Sequence, residues 1–160
     1  MGCDIHTHVQ VWEGSKWRNI PSGKERELFV DKIKYSFGCF GWRSYRMFEF
    51  LAGVRAYEGI PGFAARGMPQ DAGDTAALRE RYLDSPDYHS ASWITECELQ
   101  IVDYETTFLE LARGDREASS GRHWLTLREA LGERFFDHSA KLAALAKDPR
   151  YIRVVFWFDN

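Results

Sequence analysis

The sequence predicts an α+β fold: a small mixed or antiparallel sheet that contains both the N- and C-terminal strands, packed against three to five helices. Two observations lead to it. Residues 3–12, CDIHTHVQVW, alternate with period two, the pattern of a strand. Residues 151–158, YIRVVFWF, form a near-continuous run of β-branched and aromatic side chains, expected of a central strand buried on both faces. Stretches of helical spacing lie between these two, and the earlier strand is the natural partner of the later one. A chain of 160 residues can close one core, so a single domain over 1–160 is expected.

In the first strand Cys3, Ile5, Thr7, Val9 and Val11 share one face, while Asp4, His6, His8, Gln10 and Trp12 share the other. Glu13-Gly14-Ser15-Lys16 reads as a turn, and Trp17 to Ile20 returns as a short hairpin arm stopped by Pro21-Ser22-Gly23. Residues 24–35 mix seven charges with bulky apolar groups and fit either a short helix or an irregular strand. Residues 36–42, SFGCFGW, read as a packed loop. The spacing of Tyr45, Phe48, Leu51 and Ala52 predicts a helix over 44–52, with Gly53 as its terminator. Residues 54–73, with four glycines and two prolines, form the longest irregular segment. A short charged helix over 75–83 follows, broken by Ser85-Pro86-Asp87. Thr95 and Thr126 each stand three residues before a glutamate and after an apolar residue, so each starts a helix with a capping box. The first helix is expected to run to Ala112, ended by Gly114. The second is expected to bend near Gly132 and continue to Leu145.

Composition narrows the function. The 21 Lys and Arg against 24 Asp and Glu leave a net charge of −3, which gives no support to general nucleic-acid binding. Cys3, Cys39 and Cys97 include no CxxC pair, which is the usage of a reducing compartment. With no basic-then-apolar leader and no apolar run of about 18 residues, a soluble cytoplasmic protein without a membrane partner is expected.

Three constellations carry chemistry. Asp4, His6 and His8 lie on one side of a strand, where two imidazoles can share a divalent ion such as zinc, manganese or iron. The same three residues also suit a structural polar network or an ordinary exposed strand face. In Asp87-Tyr88-His89-Ser90, read as a loop, Asp87 can orient His89 as a carboxylate orients a catalytic or metal-bound imidazole; a local turn bond from Asp87 or Ser90 is the plainer alternative. Arg43, Arg55 and Arg66, with Arg46, flank a helix and the glycine-rich loop. Their guanidinium groups suit phosphate or carboxylate recognition, or pairing with the chain's own acids. No GxxxxGK[ST], GxGxxG or GxSxG is present. Phe37, Phe40 and Trp42 can stack on a base, but large side chains are needed for the core, and core is the preferred reading. Cys97 is read as core, and His123 and His138 as packing or surface histidines.

Several blocks together resemble a known group. Met1-Gly2-Cys3-Asp4-Ile5-His6, residues 43–55 (RSYRMFEFLAGVR), Arg66-Gly67-Met68-Pro69, residues 87–93 (DYHSASW) and the closing Val155-Phe156-Trp157-Phe158-Asp159-Asn160 are similar to small proteins encoded by bacteriophages and prophage-bearing bacteria. The resemblance touches both ends and the middle, and residues 100–150 share in it least. It implies a phage or bacterial origin, hence the cytoplasm of a bacterial host cell. It implies no activity, cofactor or catalytic role.

Two functions are therefore expected in turn. The first is a small metal-dependent hydrolase of a phosphoester or nucleotide-like substrate. Asp4, His6 and His89 would hold the ion with His8 as a further ligand, His89 and Asp87 would act in catalysis, and Arg43, Arg66 and Arg55 would bind the anion. The second is a non-catalytic binder of a nucleotide-like anion or of a host protein. The hydrolase requires His89 to converge with Asp4 and His6.

Overall fold

The computed structural model describes residues 2–30, 38–111 and 122–160. Strand β1 (Asp4–Glu13) turns through Gly14, whose φ of +69° suits a tight hairpin, into β2 (Lys16–Asn19). Helix α1 (Ser22–Leu28) and helix α2 (Tyr45–Ala52) follow. The Ser44 hydroxyl accepts from Met47 N at the start of α2, and Gly53 closes it in the left-handed conformation. Next come α3 (Asp74–Leu83), β3 (His89–Thr95) and α4 (Glu96–Gln100). A small ribbon of β4 (Thr107–Leu109) and β5 (Trp124–Thr126) precedes α5 (Leu127–Leu131) and α6 (Glu133–Ala143). A single 3-10 turn, Pro149–Tyr151, then leads into β6 (Ile152–Asp159).

The main sheet has the order β2-β1-β6-β3 and is antiparallel throughout. Both predicted end strands are therefore neighbours, joined from Asp4↔Asp159 to Val11↔Ile152. On one face Val9, Ile94, Val154, Phe156 and Phe158 meet Met47, Phe48, Leu51, Leu127, Phe135 and Leu142 of the helices. On the other, Val155, Trp157 and Ala91 are covered by Leu78 of α3. Every β6 residue from Ile152 to Phe158 is buried, as its unbroken apolar run predicts. The exception in composition is Arg153, only 3% exposed. Its Nε donates to Gln10 Oε1 at 2.8 Å, and its Nη2 donates to Asp71 Oδ2 at 2.5 Å and Thr75 Oγ1 at 3.2 Å. The guanidinium also lies 4.1 Å over the Trp17 ring. A buried charge tolerates that position because its donors are met by named acceptors.

Both capping boxes form as the spacing predicts, at Thr95 with Glu98 and at Thr126 with Glu129. The helix from Thr95 ends at Gln100, far short of Ala112. Past it the chain becomes β-branched and polar, and Asp103 Oδ1 accepts from Glu105 N at 3.0 Å, a local turn that competes with helix. Ala112 and Gly114 lie outside the described residues, as do Phe37 and residues 31–35 of the segment left open between helix and strand. The bend at Gly132 becomes a full break, dividing one predicted helix into α5 and α6. Such divisions give six short helices among the described residues where the sequence predicts three to five. None of them is long and apolar enough to cross a membrane.

The irregular segment after α2 is held against it. Phe63 N donates to Phe50 O at 2.7 Å, and a Cβ added at Gly62 would stand 2.2 Å from that same carbonyl oxygen. Backbone cannot yield there as a flexible side chain would. Gly62→Ala is expected to cost about 3 kcal/mol, the upper end for overpacking, read as a lower midpoint in urea unfolding with an unchanged slope.

Candidate functional site

Alternation along β1 places Asp4, His6 and His8 on the face that meets Trp157, as predicted. Each has a partner. Arg43 grips Asp4 in a two-point pair, Nε to Oδ1 at 2.8 Å and Nη2 to Oδ2 at 2.6 Å, and this bond holds the Asp4 carboxyl below its ordinary value. His6 Nε2 lies 2.9 Å from Asp159 Oδ2, and Asp159 Oδ1 accepts from Asp4 N at 3.1 Å. The His6 ring stacks on Trp157 with centroids 5.7 Å apart and leans on Tyr88 at 5.0 Å. His8 stacks on the same indole at 5.1 Å. Burial, followed by the positive charge of Arg81 and then His6, pushes the His8 imidazole down to about 4. It is therefore neutral near pH 7.

The segment 87–93 does not form the predicted loop; its second half is β3, on the free side of β6. A β-bulge lies between His89 and Ser92, with Ser90 at a φ of +52°. This extra residue hides the strand from a period-two reading. His89 pairs with Phe158, as Ile5 does from the other side, so its ring stacks on Phe158 and faces the main core. His6 pairs with Trp157 on the opposite face. The segment does reach the β1 site, but through Tyr88 and not through His89. His89 Nδ1 lies 3.0 Å from Ser90 Oγ, and its Nε2 is buried without a hydrogen bond. Asp87 is exposed and takes only a turn bond, its N donating to Ser85 Oγ at 3.3 Å; it does not orient His89.

The convergence of His89 with Asp4 and His6 that the hydrolase requires is thus absent: β6 stands between them. Among the described residues no three His, Cys, Asp or Glu side chains are grouped to hold a metal ion. The arginines are also dispersed. Arg43 serves Asp4, Arg55 donates to Tyr57 Oη at 3.2 Å and to Asn160 Oδ1 at 3.1 Å, and Arg66 bonds Glu98 at 2.6 Å while lying 4.9 Å over Trp93. Arg46 binds Glu58 and Glu110. Phe40 is core, as expected.

What the structure does assemble is a groove of about 760 Å³ along the first half of β1. Five consecutive strand residues, Asp4 to His8, form one side; Ser22, Glu25 and Arg26 of α1, the Gly41-Trp42-Arg43 turn, Arg81 of α3 and Asp159 complete it. Arg81 is exposed and makes no ion pair or side-chain hydrogen bond among the described residues. Glu25 is buried, its two oxygens accepting from Val9 N and Cys39 N at 3.2 Å each, and burial pushes its carboxyl up to about 7. Thr7, 8% exposed, has a buried hydroxyl with no hydrogen-bond partner. Sequence reasoning missed Asp159, Arg81, Glu25 and Tyr88. Only Asp159 had a usable signal, since antiparallel pairing of the two end strands sets it opposite Asp4.

Comparison of the chain with protein-family models, with curated proteins and with solved structures finds no match.

Proposed function

We propose that this chain is a non-catalytic binder that receives an anionic ligand in the groove along β1. One observation carries the reading: Arg81 lines the groove and forms no ion pair with an acid among the described residues. The acids nearby are already engaged. Asp4 is held by Arg43 and Asp159 by His6, while burial favours the neutral form of Glu25. A carboxylate or phosphate entering the groove would meet Arg81 and the edge of His6, and a charge-assisted bond there is worth about 1.5–3 kcal/mol.

The hydrolase reading lacks this support, because its donors are divided between two faces of the sheet. Titration of the protein with inorganic phosphate and with a nucleoside monophosphate, followed by tryptophan fluorescence, tests the binder. Arg81→Ala is expected to weaken binding by about tenfold or more, while Arg66→Ala, remote from the groove, leaves it unchanged. Equal affinity in both variants would overturn the reading. So would a stoichiometric zinc, manganese or iron ion in protein purified without an affinity tag.

A further inference from the structure

We infer that the anionic ligand of the groove is an extended acidic peptide segment, added as a strand to the open edge of β1. This rests on the groove's taking an anion and goes on to name the anion's class. Strand β2 covers only the second half of β1: the ladder runs from Glu13↔Lys16 to Gln10↔Asn19, and Ile20 N donates to Val9 O at 2.9 Å just beyond it. That bond fixes which backbone groups face outward. The N–H and C=O of one strand residue point to the same side and alternate along the chain, so Ile5 and Thr7 direct theirs to the side where Val9 meets Ile20. Even-numbered residues direct theirs to β6. Among the described residues nothing pairs with the Ile5 and Thr7 backbone on that side.

An unpaired strand edge is a template for another strand. Here it runs about 17 Å over five residues at about 3.4 Å each. The edge lies in a groove, not on a flat face, with residues of α1 and of the 41–43 turn also lining it. That recess disfavours edge-to-edge pairing with a second copy, whose own edge is equally sunk, and admits a single slender chain. Arg81, which also lines the groove and bears on His8, selects acidic side chains, which project from a peptide strand at every second residue.

Selection of random heptapeptides against the intact protein, counter-selected with Arg81→Glu, tests the inference. The expected result is peptides with Asp or Glu at alternate positions and β-branched residues between. Their binding slows hydrogen exchange of the Ile5 and Thr7 amides, and N-methylation at alternate peptide positions weakens it by at least about tenfold. Several outcomes would overturn strand addition: no enriched peptides, enriched peptides without an acidic excess, unprotected Ile5 and Thr7 amides, or a dimer of the chain that buries this edge. If phosphate or a nucleotide still binds through Arg81, the anion groove survives and only the peptide assignment falls. If no anion binds, both fall.

Discussion

A chain ending at residue 151 is expected to lose cooperative unfolding altogether. The deletion removes β6, which separates β1 from β3 and is bonded to both. Ile152, Val154, Val155, Phe156, Trp157 and Phe158 are each 1% exposed or less. At about 1.5–3 kcal/mol for each buried side chain, their loss matches the whole 5–15 kcal/mol or so by which a domain is stable. The acceptors of Arg153 would also lose their buried donor. Calorimetry should show no sharp transition, and the truncated chain should bind a hydrophobic dye. A sharp melt near the full chain's midpoint would contradict the assigned centre of the sheet.

Glu25 and Glu96 are expected to take stability away as pH rises from about 4.5 to about 7, against an opposing gain below about 6.5 from His8, which is held neutral in the fold and binds a proton once unfolded. Burial raises the carboxyls of Glu25 and Glu96 to about 7 each. Glu96 is 2% exposed, and Ser139 donates to its two oxygens at 3.0 and 3.3 Å. The sign follows from proton counting. Below the unfolded value both states hold the proton and no difference arises. Between the two values the unfolded chain has released it and the folded chain keeps it, so each rise in pH favours unfolding. Above the folded value the loss is complete and the dependence flattens. The slope is about 1.4 kcal/mol per pH unit for each group, giving a loss on the order of 3 kcal/mol from Glu25 across the window and a similar or smaller one from Glu96. Urea titrations from pH 4.5 to 8 measure it directly. Glu96→Gln should flatten the curve by its own share and keep the Ser139 bond. Glu25→Gln should also flatten it but lie lower throughout, because the new amide nitrogen faces a backbone N–H that an oxygen now satisfies. A pH dependence that neither Glu25→Gln nor Glu96→Gln alters would refute the assignment.

The fold was legible wherever one physical cause acted alone. Alternation in residues 3–12, an apolar run in 151–158 and the Thr-x-x-Glu boxes each name one element, and the structure forms all of them. Legibility failed where two causes competed. At residues 101–106 helix spacing continued on paper while β-branching and the Asp103 turn ended the helix. At 87–93 a strand was concealed by its own irregularity. The site was legible in part: the polar face of β1 is real, but its chemistry depends on Asp159, Arg81 and Glu25, which reach it from three other elements. No local pattern in the sequence encodes that meeting. Nor could spacing tell that Arg43, Arg55 and Arg66 would each find a partner within the chain.

The bulge at Ser90 acts as a phase slip. Beyond it Ser92 and Ile94 share the face of Phe156 and Val154; before it the odd-numbered His89 takes that face, beside Phe158. The slip hands the opposite face to Tyr88, Ala91 and Trp93 together, so three side chains that a regular strand would divide end on one side of the sheet with Trp157. A chain without Ser90 could pair His89, Ala91 and Ser92 with Phe158, Trp157 and Phe156 in unbroken succession, every side chain keeping its present face. Orientation here is thus indifferent to one residue's presence, and what Ser90 adds is local: a left-handed backbone step and a hydroxyl against the His89 ring.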